Sequence, residues 1–191
     1  MYSRRVTCIV AVRDKRGVVL AGDSCGGDHD WARSVYRDRK VFRSGPYALG
    51  YTDSFRMGQL LEFKLELPTP PKREADLRRF MVTEFAEHVR MAEKAGGYSR
   101  VENNTEGGGK FIVVVRARIF LFDRDFAVLE PAEPFFAVGC GEKFALGALR
   151  ALPRSMPAKK RCTIALQVAE RSSAGVSPPF HYVQSGRTLG G

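Results

Sequence analysis

The stretch Thr7 to Asp23, TCIVAVRDKRGVVLAGD, constrains this chain most. Ile9 to Val12 and Val18 to Ala21 are apolar runs, and Arg13-Asp14-Lys15-Arg16-Gly17 between them is a turn signal, so the stretch predicts an antiparallel hairpin. Both runs are apolar on both faces, so the sheet holding them has to be covered on both sides. The pairing also brings the open ends together. A hydroxyl side chain, Thr7, is then expected close to a carboxylate, Asp23, which makes this end of the hairpin a candidate active site.

Further along, Lys40 to Arg43 and Tyr47 to Tyr51 flank the turn Ser44-Gly45-Pro46 and predict a second hairpin. The polar, glycine-bearing segment between the hairpins, Ser24 to Arg39, reads as a loop. Asp53 is placed to accept the first free N–H groups of a helix that carries Phe55, Leu60, Leu61 and Phe63 and ends before Pro68. Leu77, Phe80, Met81, Phe85, Val89 and Ala92 recur at helical spacing and predict one helix over about 74–95. Ser99 to Gly109 reads as a loop. Strands are predicted over 110–116, 118–122, 126–130 and 135–139. Two helices follow, the second opening near Pro157 and running out near Ser172, and then a strand over 180–184. Runs of strands and runs of helices, without strict βαβ alternation, argue an α+β fold. Two packed sheets between two helix layers, a four-layer αββα sandwich, satisfy both this order and the doubly apolar hairpin. The expected division is one domain over 7–184, a removable leader over 1–6 and a mobile tail over 185–191.

Composition excludes several classes. No apolar run approaches the roughly 20 residues that span a bilayer, and MYSRRV lacks a secretory apolar region, so the cytoplasm is the expected compartment. Cys8, Cys25, Cys140 and Cys162 show no CxxC or zinc spacing and are expected to be free thiols. His29, His88 and His181 share no pattern, and no metal or cofactor is expected. Gly107-Gly108-Gly109 is not followed by Lys-Ser/Thr, so it is no phosphate loop. The net charge of +10 gathers at Arg33, Arg37, Arg39 and Arg43, at Arg73, Arg78 and Arg79, and at Lys159, Lys160 and Arg161. This reads as a solvated surface; nucleic-acid binding stays as an alternative use of it.

Four motifs occur in order: TCIVAVRDKRGVVLAGDS, RKVF, GYTDSFRMGQLL and AVGCGEKFALGALRAL. Together they resemble the proteasome β-subunit group of N-terminal-nucleophile hydrolases, above all the bacterial HslV type and its phage-encoded relatives. The resemblance covers Thr7 to about Leu152, and ALQVAERSSAG is similar to the family's closing helix. It implies that Thr7 is the nucleophile and first residue of the mature chain. It implies the aspartate role for Asp23 and the active-site lysine role for Lys40. The backbone of Asp53 and Ser54 stands where the family has a glycine pair and binds the oxyanion, and Cys140 replaces a supporting serine. Near the chain's end the proteasome branch has an aspartate and a serine where this sequence offers Arg171 and Ala174. The resemblance further implies a polypeptide substrate, a homo-oligomeric ring and a separate ATP-driven (AAA+) unfoldase.

The chemistry needs these residue types. A threonine hydroxyl is a weak nucleophile, and an N-terminal threonine carries its own base, the α-amine, of pKa about 7.7–8.0. Lys40 beside it disfavours a protonated amine, and Asp23 orients Lys40. Here Thr7 is preceded by MYSRRV, with Val6 where self-processing relatives carry glycine. A threonine peptidase requires that segment to be removed. If it stays, the chain is a proteasome-like structural or assembly body without that activity.

Overall fold

The computed structural model describes residues 6–27 and 33–186. His29, most of the expected leader and the end of the expected tail lie outside them. The opening stretch folds as its pattern demands. β1 (Cys8–Asp14) pairs with β2 (Gly17–Gly22), with Ile9 opposite Gly22 and Asp14 opposite Gly17. β3 (Cys25–Gly27) and β4 (Arg33–Val35) then form a two-stranded ribbon inside the segment that reads as a loop. So short a ribbon carries no apolar alternation to betray it. β5 (Val41–Ser44) and β6 (Tyr47–Tyr51) are the second hairpin.

α1 (Phe55–Phe63) follows, and its cap corrects the sequence expectation. Ser54, not Asp53, is the N-cap: Ser54 is extended and its side chain accepts from the Arg56 N–H. Asp53 is held one position too early, with φ of 62°, and its carboxylate turns elsewhere. The predicted long helix is also interrupted. A 3-10 turn (Glu74–Asp76) leads into α2 (Leu77–Phe80), a π turn (Met81–Phe85) and α3 (Ala86–Ala95). Within the π turn the Thr83 hydroxyl donates to the Arg79 carbonyl at 2.9 Å, a side-chain bond that competes with regular helix bonding.

β7 (Arg100–Glu102) and β8 (Thr105–Gly107) make a hairpin where the glycine- and asparagine-rich run reads as loop. Its turn residues Asn103 and Asn104 both have positive φ, the pattern of a type I′ connection. β9 (Phe111–Val115) and β10 (Arg118–Phe122) pair next. The strand expected over 126–130 shrinks to β11 (Val128–Leu129), because Asp125 accepts from the Ala127 N–H and Phe126 takes a positive φ. β12 (Phe135–Gly139), α4 (Glu142–Ala151), α5 (Ala158–Ser172) and β13 (His181–Ser185) complete the chain. Ser185, expected to open the tail, is buried in β13 opposite Val18.

The strands form two main antiparallel sheets, in the orders β12-β1-β2-β13 and β11-β10-β9-β6-β5. Alternation along β1 explains the layers. Ile9 and Ala11 meet Val41, Ala48, Ile112 and Val114 of the second sheet. Cys8, Val10 and Val12 face Leu149, Cys162, Ala165 and Leu166 of α4 and α5. The far face of the second sheet packs Tyr47, Leu49, Val113 and Phe120 against Leu61, Leu77, Phe85 and Val89. The result is the expected αββα sandwich. A fully buried Val, Leu or Ile contributes roughly 1.5–3 kcal/mol, so apolar burial between the layers, not ladder bonds within each sheet, holds the two sheets together. Among the described residues no helix is long and apolar enough to cross a membrane.

Candidate active site

The two sheets present their open ends together, and Thr7, Asp23 and Lys40 meet there. Thr7 precedes β1, Asp23 follows β2 and Lys40 precedes β5, so each side chain sits where a strand ends and its direction is fixed by the ladder. All three are buried. Lys40 Nζ donates to Thr7 Oγ1 at 2.8 Å, to Asp23 Oδ1 at 3.1 Å, to the Cys25 carbonyl at 2.6 Å and to the Val6 carbonyl at 3.1 Å. An ammonium has three protons, so four acceptors share them and the group is fully engaged. Asp23 is anchored in turn by main chain. Its Oδ1 accepts from Cys8 N at 2.9 Å, and its Oδ2 accepts from Cys25 N at 2.8 Å and Ser177 N at 3.4 Å. Thr7 Oγ1 also donates to the carbonyl of Val6, so the bond preceding Thr7 lies against the Thr7 side chain.

Cys140 lies on the other side of Thr7. Its Sγ is 3.4 Å from Thr7 N, from which it accepts, and 3.3 Å from Thr7 O. The turn into α4 clamps the same carbonyl, with Gly141 N donating to Thr7 O at 3.3 Å. Gly139 has to be glycine: its φ is +103°, and a Cβ there would stand 2.3 Å from Thr7 O. Sequence reasoning missed one member of this group. Ser173, at the end of α5, donates to Cys140 Sγ at 3.4 Å and accepts from Gly175 N. It stands one position before Ala174, where the family pattern was sought, so a shift of one residue at a helix end hid it. The run Ser172-Ser173-Ala174-Gly175 was the available signal. Arg171 makes no hydrogen bond to the group among the described contacts. Cys8 is set apart chemically: burial, with Asp23 nearby, pushes its thiol pKa well up.

Thr7 and Lys40 open on a cleft of about 1030 Å³, walled on the near side by Thr52, Asp53, Ser54 and Phe55 and on the far side by the β7–β8 hairpin. The Asp53 turn is braced firmly. Arg124 pairs with Asp53 Oδ1 at 2.8 Å, and Lys110 N donates to Asp53 Oδ2 at 3.1 Å. Ser54 N donates to Thr52 O at 2.7 Å, so the Ser54 N–H, expected to help bind an oxyanion, is engaged within the turn.

Behind the turn stands a side chain that nothing in the sequence singled out. Glu93 of α3 is fully buried, its Oε2 accepts from Gly109 N at 3.3 Å, and its Oε1 has no hydrogen-bond partner among the described residues. Burial, aided by Asp53, raises its pKa from 4.5 to about 7. An acid with a raised folded-state pKa contributes stability that is full below its unfolded pKa and is lost as pH rises through the folded value. From about pH 4.5 to 7 the wild type is therefore expected to lose on the order of 3 kcal/mol through this group. Glu93→Gln should remove that slope, read by urea denaturation at pH 5 and pH 8. Parallel pH dependence in both proteins would show that Glu93 titrates normally. Among the described residues no group of three or more metal-ligating side chains comes together.

No family model matches the chain. Solved structures do resemble it over nearly its whole length. Thiobacillus denitrificans BPH in complex with epoxomicin is 20% identical with a TM-score of 0.76, covering 94% of this chain and 98% of that one. Eukaryotic HslV from Trypanosoma brucei is 23% identical with a TM-score of 0.67, covering 92% and 97%. An Anbu Gly-1 mutant from Hyphomicrobium sp. strain MC1 is 21% identical with a TM-score of 0.67, covering 95% and 82%. At such identities the likeness is one of fold. The chain has the proteasome-like, HslV-like N-terminal-nucleophile fold.

Proposed function

We propose that this protein is a threonine-type peptidase whose nucleophile is Thr7, exposed as the N-terminal residue once residues 1–6 are removed. One observation carries the reading: Lys40 Nζ lies 2.8 Å from Thr7 Oγ1 inside a buried Lys–Asp pair, at the head of a large cleft. In the mature chain the α-amine of Thr7 takes the hydroxyl proton as Oγ1 attacks a peptide carbonyl, and it returns that proton to the leaving amine. Water then hydrolyses the resulting ester. The backbone of the Asp53-Ser54 turn is proposed to bind the developing oxyanion, a contribution of roughly 3–4 kcal/mol for one donor in comparable sites. Cys140, with Ser173 behind it, holds the α-amine by its thiol.

The same atoms suit removal of the leader. Thr7 Oγ1 contacts the Val6 carbonyl oxygen while Lys40 Nζ donates to it at 3.1 Å. Attack on the Val6 carbonyl carbon transfers the acyl group from the Thr7 nitrogen to Oγ1, frees the amine, and leaves an ester for water to cut. As with the family it resembles, the chain is proposed to act within a homo-oligomeric ring on polypeptides delivered by a separate unfoldase.

The β-branched Val6 favours a second reading, a retained leader in a catalytically silent assembly protein. Val6 lines the cleft itself. Intact mass of the protein from its own host separates the two. The peptidase is expected to begin at Thr7 and to gain one adduct from a peptide epoxyketone, which consumes both hydroxyl and amine. A chain starting at Met1 that takes no adduct leaves only the assembly reading.

A further inference from the structure

Independently of the peptidase reading, we propose that the end of the molecule opposite the cleft binds the phosphate backbone of duplex nucleic acid. The cations that would hold it are Lys15 and Arg16 of the β1–β2 turn, Arg43 in β5, Arg154 before α5, and Lys159 and Lys160 in the first turn of α5. All six are exposed. They come from segments far apart in the chain that the fold ties together. Asp14 Oδ2 accepts from Ala158 N at 3.0 Å, which sets the start of α5 beside the β1–β2 turn. Gln184 Nε2 donates to Arg16 O at 3.5 Å and the Arg43 guanidinium donates to Gln184 O, so β13 brings β5 to the same turn. Arg154 lies in the turn that Met156 N closes on Pro153 O, just ahead of α5. One helix layer and both sheets thus contribute, and with layers about 10 Å apart the cations form a band about 20 Å across. The seven residues of β1 rise about 3.4 Å each, so the band stands more than about 20 Å from Thr7 and leaves the cleft open.

The charge of this band is not spent internally. Arg90, Arg118, Arg124 and Arg150 each pair with a carboxylate. Among the described residues none of the six does. Asp14, the one acid on these segments, gives its two oxygens to the N–H groups of Arg16 and Ala158. Arg161, their neighbour in sequence, is excluded from the band: it is buried and donates to Leu149 O at 3.3 Å. Two observations select the partner. A protein partner is anchored by apolar and aromatic side chains, and none of the large exposed apolar side chains lies on these segments. A single strand is held by bases stacked on aromatic rings. Tyr182, the ring that meets the band, is half-buried, lies 5.1 Å from Lys159 Nζ and shares its hydroxyl with Thr163. Recognition by charge alone remains, and a duplex backbone supplies it, with one negative charge per about 1.7 Å of axis.

Fluorescence anisotropy of a short, mixed-sequence DNA duplex tests this. With about five phosphate contacts, affinity is expected to fall roughly 10²–10³-fold between about 50 and 200 mM salt. Lys15→Gln with Arg16→Gln, and Lys159→Gln with Lys160→Gln, should each reduce the slope of log affinity against log salt by about 2. These side chains are exposed, so the fold is untouched. Lys64→Gln with Arg78→Gln removes as much charge from exposed positions outside the band and should leave the slope unchanged. No binding of the duplex at about 50 mM salt, an equal loss in the control variant, or tighter binding of a single strand or of polyglutamate than of the duplex overturns the inference.

Discussion

Replacing Lys40 by methionine is expected to destabilise the protein by about 3 kcal/mol and to slow its reactions by roughly 10²–10⁴-fold. The stability loss follows from geometry. The Lys40 and Asp23 side chains are 2% and 0% exposed, so removing the ammonium strands a carboxylate away from water. Breaking a buried pair from one side costs about 3–5 kcal/mol. The lower end applies because Asp23 keeps its three main-chain donors. Urea denaturation at pH 7 measures the loss. The double variant Asp23→Asn with Lys40→Met should lose less than the two single losses combined, since neither charge is then left alone. A single-variant loss under about 1 kcal/mol would place the pair in contact with water. The rate loss has a separate cause on the peptidase reading, in which Lys40 is proposed to disfavour a protonated Thr7 amine by like-charge repulsion.

Thr7→Ala should abolish both leader removal and the epoxyketone adduct while leaving the fold intact. Without the hydroxyl, Lys40 still has three acceptors for its three protons: Asp23, the Cys25 carbonyl and the Val6 carbonyl. Nothing buried is left unpaired, so stability should change by about 1 kcal/mol or less. Thr7→Ser keeps the oxygen and should keep partial activity. Mass spectrometry reads leader and adduct together. An alanine variant that still begins at residue 7 would assign the cut to another protease, and one that still takes the adduct would assign the nucleophile elsewhere.

What the sequence made legible was whatever depended on periodicity. The doubly apolar pattern of β1 and β2 forced a sheet covered on both sides, and antiparallel pairing alone put Thr7 near Asp23. Lys40 entered through the resemblance, since one lysine among many charges carries no signal of its own. The ribbons β3–β4 and β7–β8 were invisible because strands of three residues are too short to show alternation. Asp53 was read as a cap because Asp before an apolar helix usually is one; the positive φ and the ion pair with Arg124 assign it to a turn instead. Glu93 could not be found from sequence. A glutamate within an otherwise amphipathic helix reads as surface, and only packing under Gly108 and Gly109 makes it an interior acid.

The clamp on Thr7 bears on the order of events in the life of the chain. β1 begins at Cys8, and its first rung is Cys8 against Gly139; Thr7 itself is gripped through its carbonyl by Gly141. A cut before Thr7 breaks no rung of either sheet and opens no layer of the sandwich. If Thr7 is the proposed nucleophile, the chain can complete folding with it covered and be armed afterwards without rearrangement of either sheet. On the peptidase reading, Val6 would be a safety catch, released by one covalent event on a finished scaffold.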